Sequence, residues 1–226
     1  MSIRNYTIVN LLDLNETIAA EYLRDYTYPW EILPHIREII LLIGPTLPED
    51  RFEKHGDDIW IAKSARVFDS AFIAGPCIID EETEVRQCAF IRGSALVGKK
   101  CVVGNSCELK NVLLFNRCEV PHYNYVGDSV LGFHAHMGAG SITSNIKSDR
   151  SNVVIHNAGE DLPTGLRKMG AVLGDRTEIG CNSVLNPGSV IGRDTNVYPL
   201  SSVRGCVPEG HIYKDRNHIV RKEEII

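Results

Sequence analysis

From Ile61 onward an aliphatic residue returns at every sixth position: Ile61, Val67, Ile73, Ile79, Val85, Ile91, Val97, Val103 and Leu109. Four residues after each stands a compact side chain: Ala65, Ala71, Cys77, Thr83, Ala89, Ala95, Cys101 and Cys107. The phase slips by one residue twice, through Leu114, Val120, Val126, Leu131, Met137 and Thr143. It then resumes at Leu173, Ile179, Leu185, Ile191, Val197 and Val203, with Thr177, Ser183, Ser189, Thr195 and Ser201 in the compact place. Glycine often follows the aliphatic residue, as at Gly98, Gly104, Gly132, Gly174 and Gly192.

This period predicts a hexapeptide-repeat parallel β-helix. One aliphatic residue per short strand points into a narrow triangular prism, and the compact residue fills the corner. Three hexads close a coil, so residues 18 apart stack at about 4.8 Å along the axis. Solenoids of this kind wind left-handed, against the usual crossover rule; the hand comes from resemblance to that fold family. The expected fold is mainly β, a single-stranded left-handed parallel β-helix of about seven coils over residues 61–207, with an inserted loop at 144–172. The stretch from Val153 to Lys168 reads as a protruding hairpin. Residues 1–60 do not repeat; Ile18, Tyr22, Leu23 and Tyr26, then Ile32, Ile36, Ile39 and Ile40, have helical spacing. They predict a small helical cap over the open end of the prism, and 208–226 is left as a C-terminal tail.

Composition follows from the repeat. Only 7% of residues are aromatic, against 19 glycines and 7 cysteines, because large rings do not fit so narrow a prism. Cys77, Cys101, Cys107 and Cys118 take inward corners as reduced core residues, while Cys88, Cys181 and Cys206 fall off that register. No CxxC pair exists, so no cysteine metal site is expected. A net charge of −5 argues against nucleic acid or an anionic membrane as partner. No apolar run is long enough to span a bilayer, and MSIRNYTIVN is no signal peptide, so a cytoplasmic location is expected.

Arg92 and Lys110 each follow an inward aliphatic residue and are 18 apart, so they stack on adjacent coils. Two such cations repel unless an anion lies between them, which suggests a phosphate site; a solvated charged face is the alternative. His122, beside Pro121 and near Tyr125, suits general-base chemistry, though a surface histidine on a turn has the same pattern. His134 and His136 could share a strand face.

The segment ELKNVLLFNRCEVPHYNYVGDSVLGFHAHMGAGSITSN, Glu108 to Asn145, resembles the acetyltransferase domain of bifunctional glucosamine-1-phosphate acetyltransferase/N-acetylglucosamine-1-phosphate uridylyltransferase. The likeness runs from about Phe90 to Val203, and its most specific part is PHYNYVGD…GAGSITSN. The resemblance implies acetyl transfer from acetyl-CoA to an amino-sugar phosphate or nucleotide amino sugar, without a metal, in clefts of a homotrimer. It implies His122 as the base that takes the proton from the sugar amine. Arg92 and Lys110 would hold phosphate, with Tyr125, His136, Asn145 and Lys168 as further substrate contacts. Amides around Gly138, Ala139 and Gly140, together with Cys181, would line the coenzyme. The β-helix family also includes zinc carbonic anhydrases, but their His-x4-His element is missing.

Three departures stand out. His136 replaces an asparagine of the family, Ile146-Lys147-Ser148 replaces Tyr-Asp-Gly, and Tyr198-Pro199-Leu200 replaces small residues that leave room for coenzyme A. These keep a second reading open, a non-catalytic sugar-phosphate or sugar-nucleotide binding module, and a third, a purely structural trimer. No Gly-rich phosphate loop is present, so nucleotidyltransferase activity is not expected.

Overall fold

Each hexad supplies one inward aliphatic residue, which favours a short pleated strand, and then a compact residue where the chain must bend. The computed structural model describes residues 2–223, and its body is a parallel β-helix. On the first face Ile61, Ile79, Val97, Leu114, Leu131, Leu173, Ile191 and Val207 lie in register. The second face stacks Val67, Val85, Val103, Val120, Met137, Ile179, Val197 and Tyr213. The third stacks Ile73, Ile91, Leu109, Val126, Thr143, Leu185 and Val203. From Ile79 to Val203 these inward residues are all buried.

Corners are held by left-handed residues. Glu82, Lys100, Arg117, His134, Arg176 and Asp194 all have φ between 55° and 59°. Such a conformation costs a non-glycine residue about 1–2 kcal/mol. The cost is offset because most of these N–H groups donate to the coil before: Lys100 to Glu81, Arg117 to Lys99, His134 to Asn116, Arg176 to Phe133 and Asp194 to Asp175. The two phase slips are shortened corners between the third and first faces. Strands Glu108–Leu114 and Tyr125–Leu131 run straight through, each bent by one left-handed residue, Asn111 or Asp128.

The N-terminal segment is helical, with its longest helix at Ile36–Ile43, but it does not sit over the open end of the prism. It lies along the first face. The outward residues there, Ile78, Leu96, Leu113, Val130, Val172 and Val190, are apolar and buried, so this face needs a cover along its length. Hydrogen bonds fix the cover: Asp175 N–H donates to Leu11 (2.9 Å), Asn116 N–H to Glu16 (2.9 Å), and the Asn111 side-chain Nδ2 to the Leu33 carbonyl (3.1 Å). Gly44 is required where the helix meets Trp60, because a Cβ there would stand 2.4 Å from the indole.

Between Ile142–Thr143 and Ala171–Leu173 the insertion forms an antiparallel hairpin, Val154–Asn157 with Glu160–Pro163. It is docked, with Val153 and Ile155 buried and the Glu160 carboxylate accepting from the Ile3 N–H at 2.7 Å. A reversing strand covers one face at each end of the stack, Phe52–His55 on Ile59–Ala62 at the first face and His218–Arg221 on His211–Asp215 at the second. Residues 211–215 thus extend the second face, and 224–226 of the expected tail lie outside the described residues. Among the described residues no helix is long and apolar enough to cross a membrane.

Candidate functional site

The corner between the second and third faces is a column whose middle residues are Gln87, Asn105, His122, Ala139, Cys181 and Pro199. Main-chain bonds join successive coils: Tyr123 N–H to Asn105 (3.0 Å), Gly140 to His122 (2.9 Å), Asn182 to Ala139 (2.8 Å) and Leu200 to Cys181 (2.9 Å). His122 is exposed, and its imidazole has no partner among the described residues. The glycines beside it serve packing. A Cβ on Gly138 would lie 2.6 Å from the Ile179 carbonyl, and one on Gly140 2.2 Å from the Asn182 side chain.

The amides expected to line a thioester are fewer than the sequence suggests. Gly138 N–H donates to Ile179 (2.7 Å) and Gly140 N–H to His122 (2.9 Å), so both are committed to coil stacking. Ala139 and Cys181 keep N–H groups without a protein acceptor among the described residues, and Pro199, next in the column, has no N–H. These two free donors fit the amide carbonyls of a pantetheine chain; the Pro199 step does not.

At the opposite edge of the third face, the structure gathers Arg92, Lys110, Tyr125 and Asn145. The two cations stack on adjacent coils, but carboxylates from this chain answer them. Arg92 Nη1 lies 2.7 Å from Glu108, and Lys110 Nζ lies 3.2 Å from Asp128. Asp128 is buried and also accepts from the Asn111 amide at 2.9 Å and from the Asn145 amide. Asn145 donates as well to the Tyr125 hydroxyl at 3.1 Å. Burial, then the carboxylates of Asp128 and Glu108, push the Tyr125 phenol up, so it stays a neutral donor at pH 7. The Glu108 hydrogen bond holds the Arg92 guanidinium cationic.

His136 and Lys168 fall outside this group. His136 faces out on the second face, its Nδ1 2.7 Å from Glu178. Lys168 lies on the returning limb of the insertion, next to Met169, whose N–H donates to Asn145 at 3.0 Å. Lys168 lines an open surface depression of about 550 Å³ together with Lys147, Arg150 and Arg167. Among the described residues no cluster of histidine, cysteine and acidic side chains could hold a metal.

Sequence reasoning missed Asp128 and Asn111, the hub and its neighbour, and Asn124 behind His122. A signal for the first two was present. The five-residue steps from Leu109 to Leu114 and from Val126 to Leu131 remove one corner residue each, and Asn111 and Asp128 make the shortened corners.

A family model described as the GMPPB C-terminal domain matches residues 73–159. The bifunctional protein GlmU of Methanococcus aeolicus is 29% identical over 223 residues, covering 91% of this chain and 49% of that protein. GlmU of Nostoc sp. is 35% identical over 144 residues, covering 64% of this chain and 28% of the relative. A bifunctional sugar-1-phosphate nucleotidylyltransferase/acetyltransferase of Sulfurisphaera tokodaii is 29% identical over 66% of this chain and 41% of its own length. The chain is thus homologous to the acetyltransferase region of GlmU-like proteins, and spans half of their length or less. Among solved structures, a perosamine N-acetyltransferase from Caulobacter crescentus with CoA and GDP-perosamine is 15% identical, covering 74% of this chain and 57% of that one, with a TM-score of 0.34. The N-acyltransferase AntD from Bacillus cereus is 16% identical, covering 77% and 92%, with a TM-score of 0.38.

Proposed function

We propose that this chain is an acetyltransferase that moves an acetyl group from acetyl-CoA to the amine of an amino sugar carried on phosphate or nucleotide. One observation carries the reading. The third face joins an exposed, unpartnered His122 at one edge to the Arg92, Lys110, Tyr125 and Asn145 group at the other, with Tyr125 only three residues after His122. In this reading His122 takes a proton from the attacking amine, worth about 10²–10⁴ in rate. The polar group holds the sugar's anionic end, and Ala139 and Cys181 donate to the coenzyme.

A homotrimer belongs to the same proposal, because one chain presents these edges on an open face. Phe72 and Phe90 pack with tilted rings, centroids 5.6 Å apart, on that face and stay exposed in the lone chain, an apolar surface suited to a neighbouring prism. A binding module without catalysis is the second reading, and Pro199 favours it by ending the column of free N–H groups. Thiol release from acetyl-CoA with glucosamine-1-phosphate and with nucleotide amino sugars separates the two. Release that disappears in His122→Ala supports the transferase, whereas no release with any acceptor, or full activity in that variant, overturns it.

A further inference from the structure

The insertion carries a cluster of positive charge beside the candidate site. Lys147, Arg150, Arg167 and Lys168 line one open surface depression of about 550 Å³ with Ile146 and Ser148, and all but Lys147 are exposed. Lys147 is matched by Asp149 at 3.4 Å and by the Ser151 hydroxyl at 2.6 Å. Among the described residues Arg150, Arg167 and Lys168 have no acidic partner.

The two limbs that present these cations are fastened to each other and to the prism. Val153 is buried, its N–H donates to Leu166 at 2.8 Å, and its carbonyl accepts from the Thr164 hydroxyl at 2.7 Å. The returning limb is tied to the candidate site itself, since Gly170 N–H donates to the Asp128 carbonyl at 2.8 Å and Met169 N–H to Asn145. Both walls of the depression thus leave directly from that site, Ile146 following Asn145 and Lys168 preceding Met169. At the Arg92 and Lys110 corner each cation is already answered by a carboxylate, while in the depression three are not. A single phosphate at the corner leaves this charge unused, whereas a second, linked phosphate supplies an anion for it.

We propose that this basic depression takes the second phosphate of a diphosphate, so that the amino sugar arrives as a nucleoside diphosphate conjugate and not as a simple sugar phosphate. The inference rests on the reading above only in taking the Arg92 and Lys110 corner as the seat of the sugar-proximal phosphate. It is tested by calorimetric titration of the full chain, without acetyl-CoA, with inorganic pyrophosphate and with orthophosphate at fixed ionic strength. The wild type is expected to prefer pyrophosphate by about tenfold or more. The double variant Arg150→Gln, Arg167→Gln should lose about tenfold in pyrophosphate affinity while orthophosphate binding changes less than about threefold. A charge-matched control, Arg24→Gln with Arg117→Gln, should leave both unchanged, and circular dichroism checks that each variant folds. Equal affinity for the two anions in the wild type, or an equal loss in the control, overturns the subsite. Because no acetyl donor is present, a pyrophosphate preference in a protein that transfers no acetyl group upholds the subsite and sinks only the transferase. Transfer to sugar monophosphates without that preference does the reverse.

Discussion

The buried amide of Asn124 holds the backbone of His122 from inside the prism. Its Oδ1 accepts from the His122 N–H at 3.0 Å, and its Nδ2 donates to the carbonyls of Gly138 at 2.8 Å and Ser141 at 3.0 Å on the next coil. Its counterparts on adjacent coils, Cys107 and Ser141, are smaller and reach fewer groups. Asn124→Ala leaves buried backbone groups unpaired and is expected to cost about 2–4 kcal/mol in urea unfolding. If His122 is the base, kcat should fall by about 10–100-fold with KM changed less than about threefold, since a misplaced base loses rate more than binding. Asn124→Thr should restore part of it; a loss confined to stability would leave His122 unsupported by this contact.

Asp128→Asn tests the hub from the other side. The substitution keeps the shape but removes the charge that Lys110 and the Asn111 and Asn145 amides share. Stability should drop by about 2–4 kcal/mol, because a largely buried ion pair loses one member. Orthophosphate should nonetheless bind about threefold tighter or more, as Lys110 is released to an external anion. A phosphorus NMR titration reads this, and unchanged binding would show that Lys110 does not face the anion.

Thiol reactivity maps the coenzyme column. Burial pushes the thiols of Cys77, Cys107 and Cys118 up, and that of Cys206 up to about 12, so all four should be inert in the folded protein. Cys88 and Cys181 are exposed and should react first with a chromogenic disulfide. Saturating acetyl-CoA is expected to protect Cys181 and not Cys88, which lies four coils earlier, about 19 Å along the axis. Peptide mass spectrometry assigns the labelled sites, and equal labelling with and without acetyl-CoA would count against a coenzyme at Ala139 and Cys181.

Acid should weaken the outer charge ladder in a defined window. Arg176 grips Asp194 through two bonds of 2.7 Å, which holds the Asp194 carboxyl below its usual range. A depressed folded value means that the pair's contribution is complete above the unfolded pKa, about 4, and is lost as pH falls through the folded value. Both side chains are nearly half exposed, so the contribution is at most about 1 kcal/mol. Wild type and Asp194→Asn should therefore differ in urea unfolding at pH 7 and converge near pH 2.

The prism was legible in the sequence because its core is one-dimensional: each inward residue meets only its neighbours six and about eighteen positions away. The helical segment was legible as helix but not as to place. Its partner is the row from Ile78 to Val190, which sits one residue before the inward positions, and a hexad search passes over it. The stacking of Arg92 on Lys110 was legible from spacing alone, but their pairing with Glu108 and Asp128 was not, because it depends on side-chain reach across a corner. The commitment of the Gly138 and Gly140 amides was likewise hidden, since it follows from which carbonyls the next coil presents after the insertion.

The reversing strands at the two ends of the stack have a consequence for growth. A parallel coil exposes the same unsatisfied edge that a further coil, or another molecule, would occupy. Here Phe52–His55 covers the first-face edge at one end and His218–Arg221 the second-face edge at the other, each in the opposite direction. At those two edges an antiparallel strand stands where a further parallel coil would add.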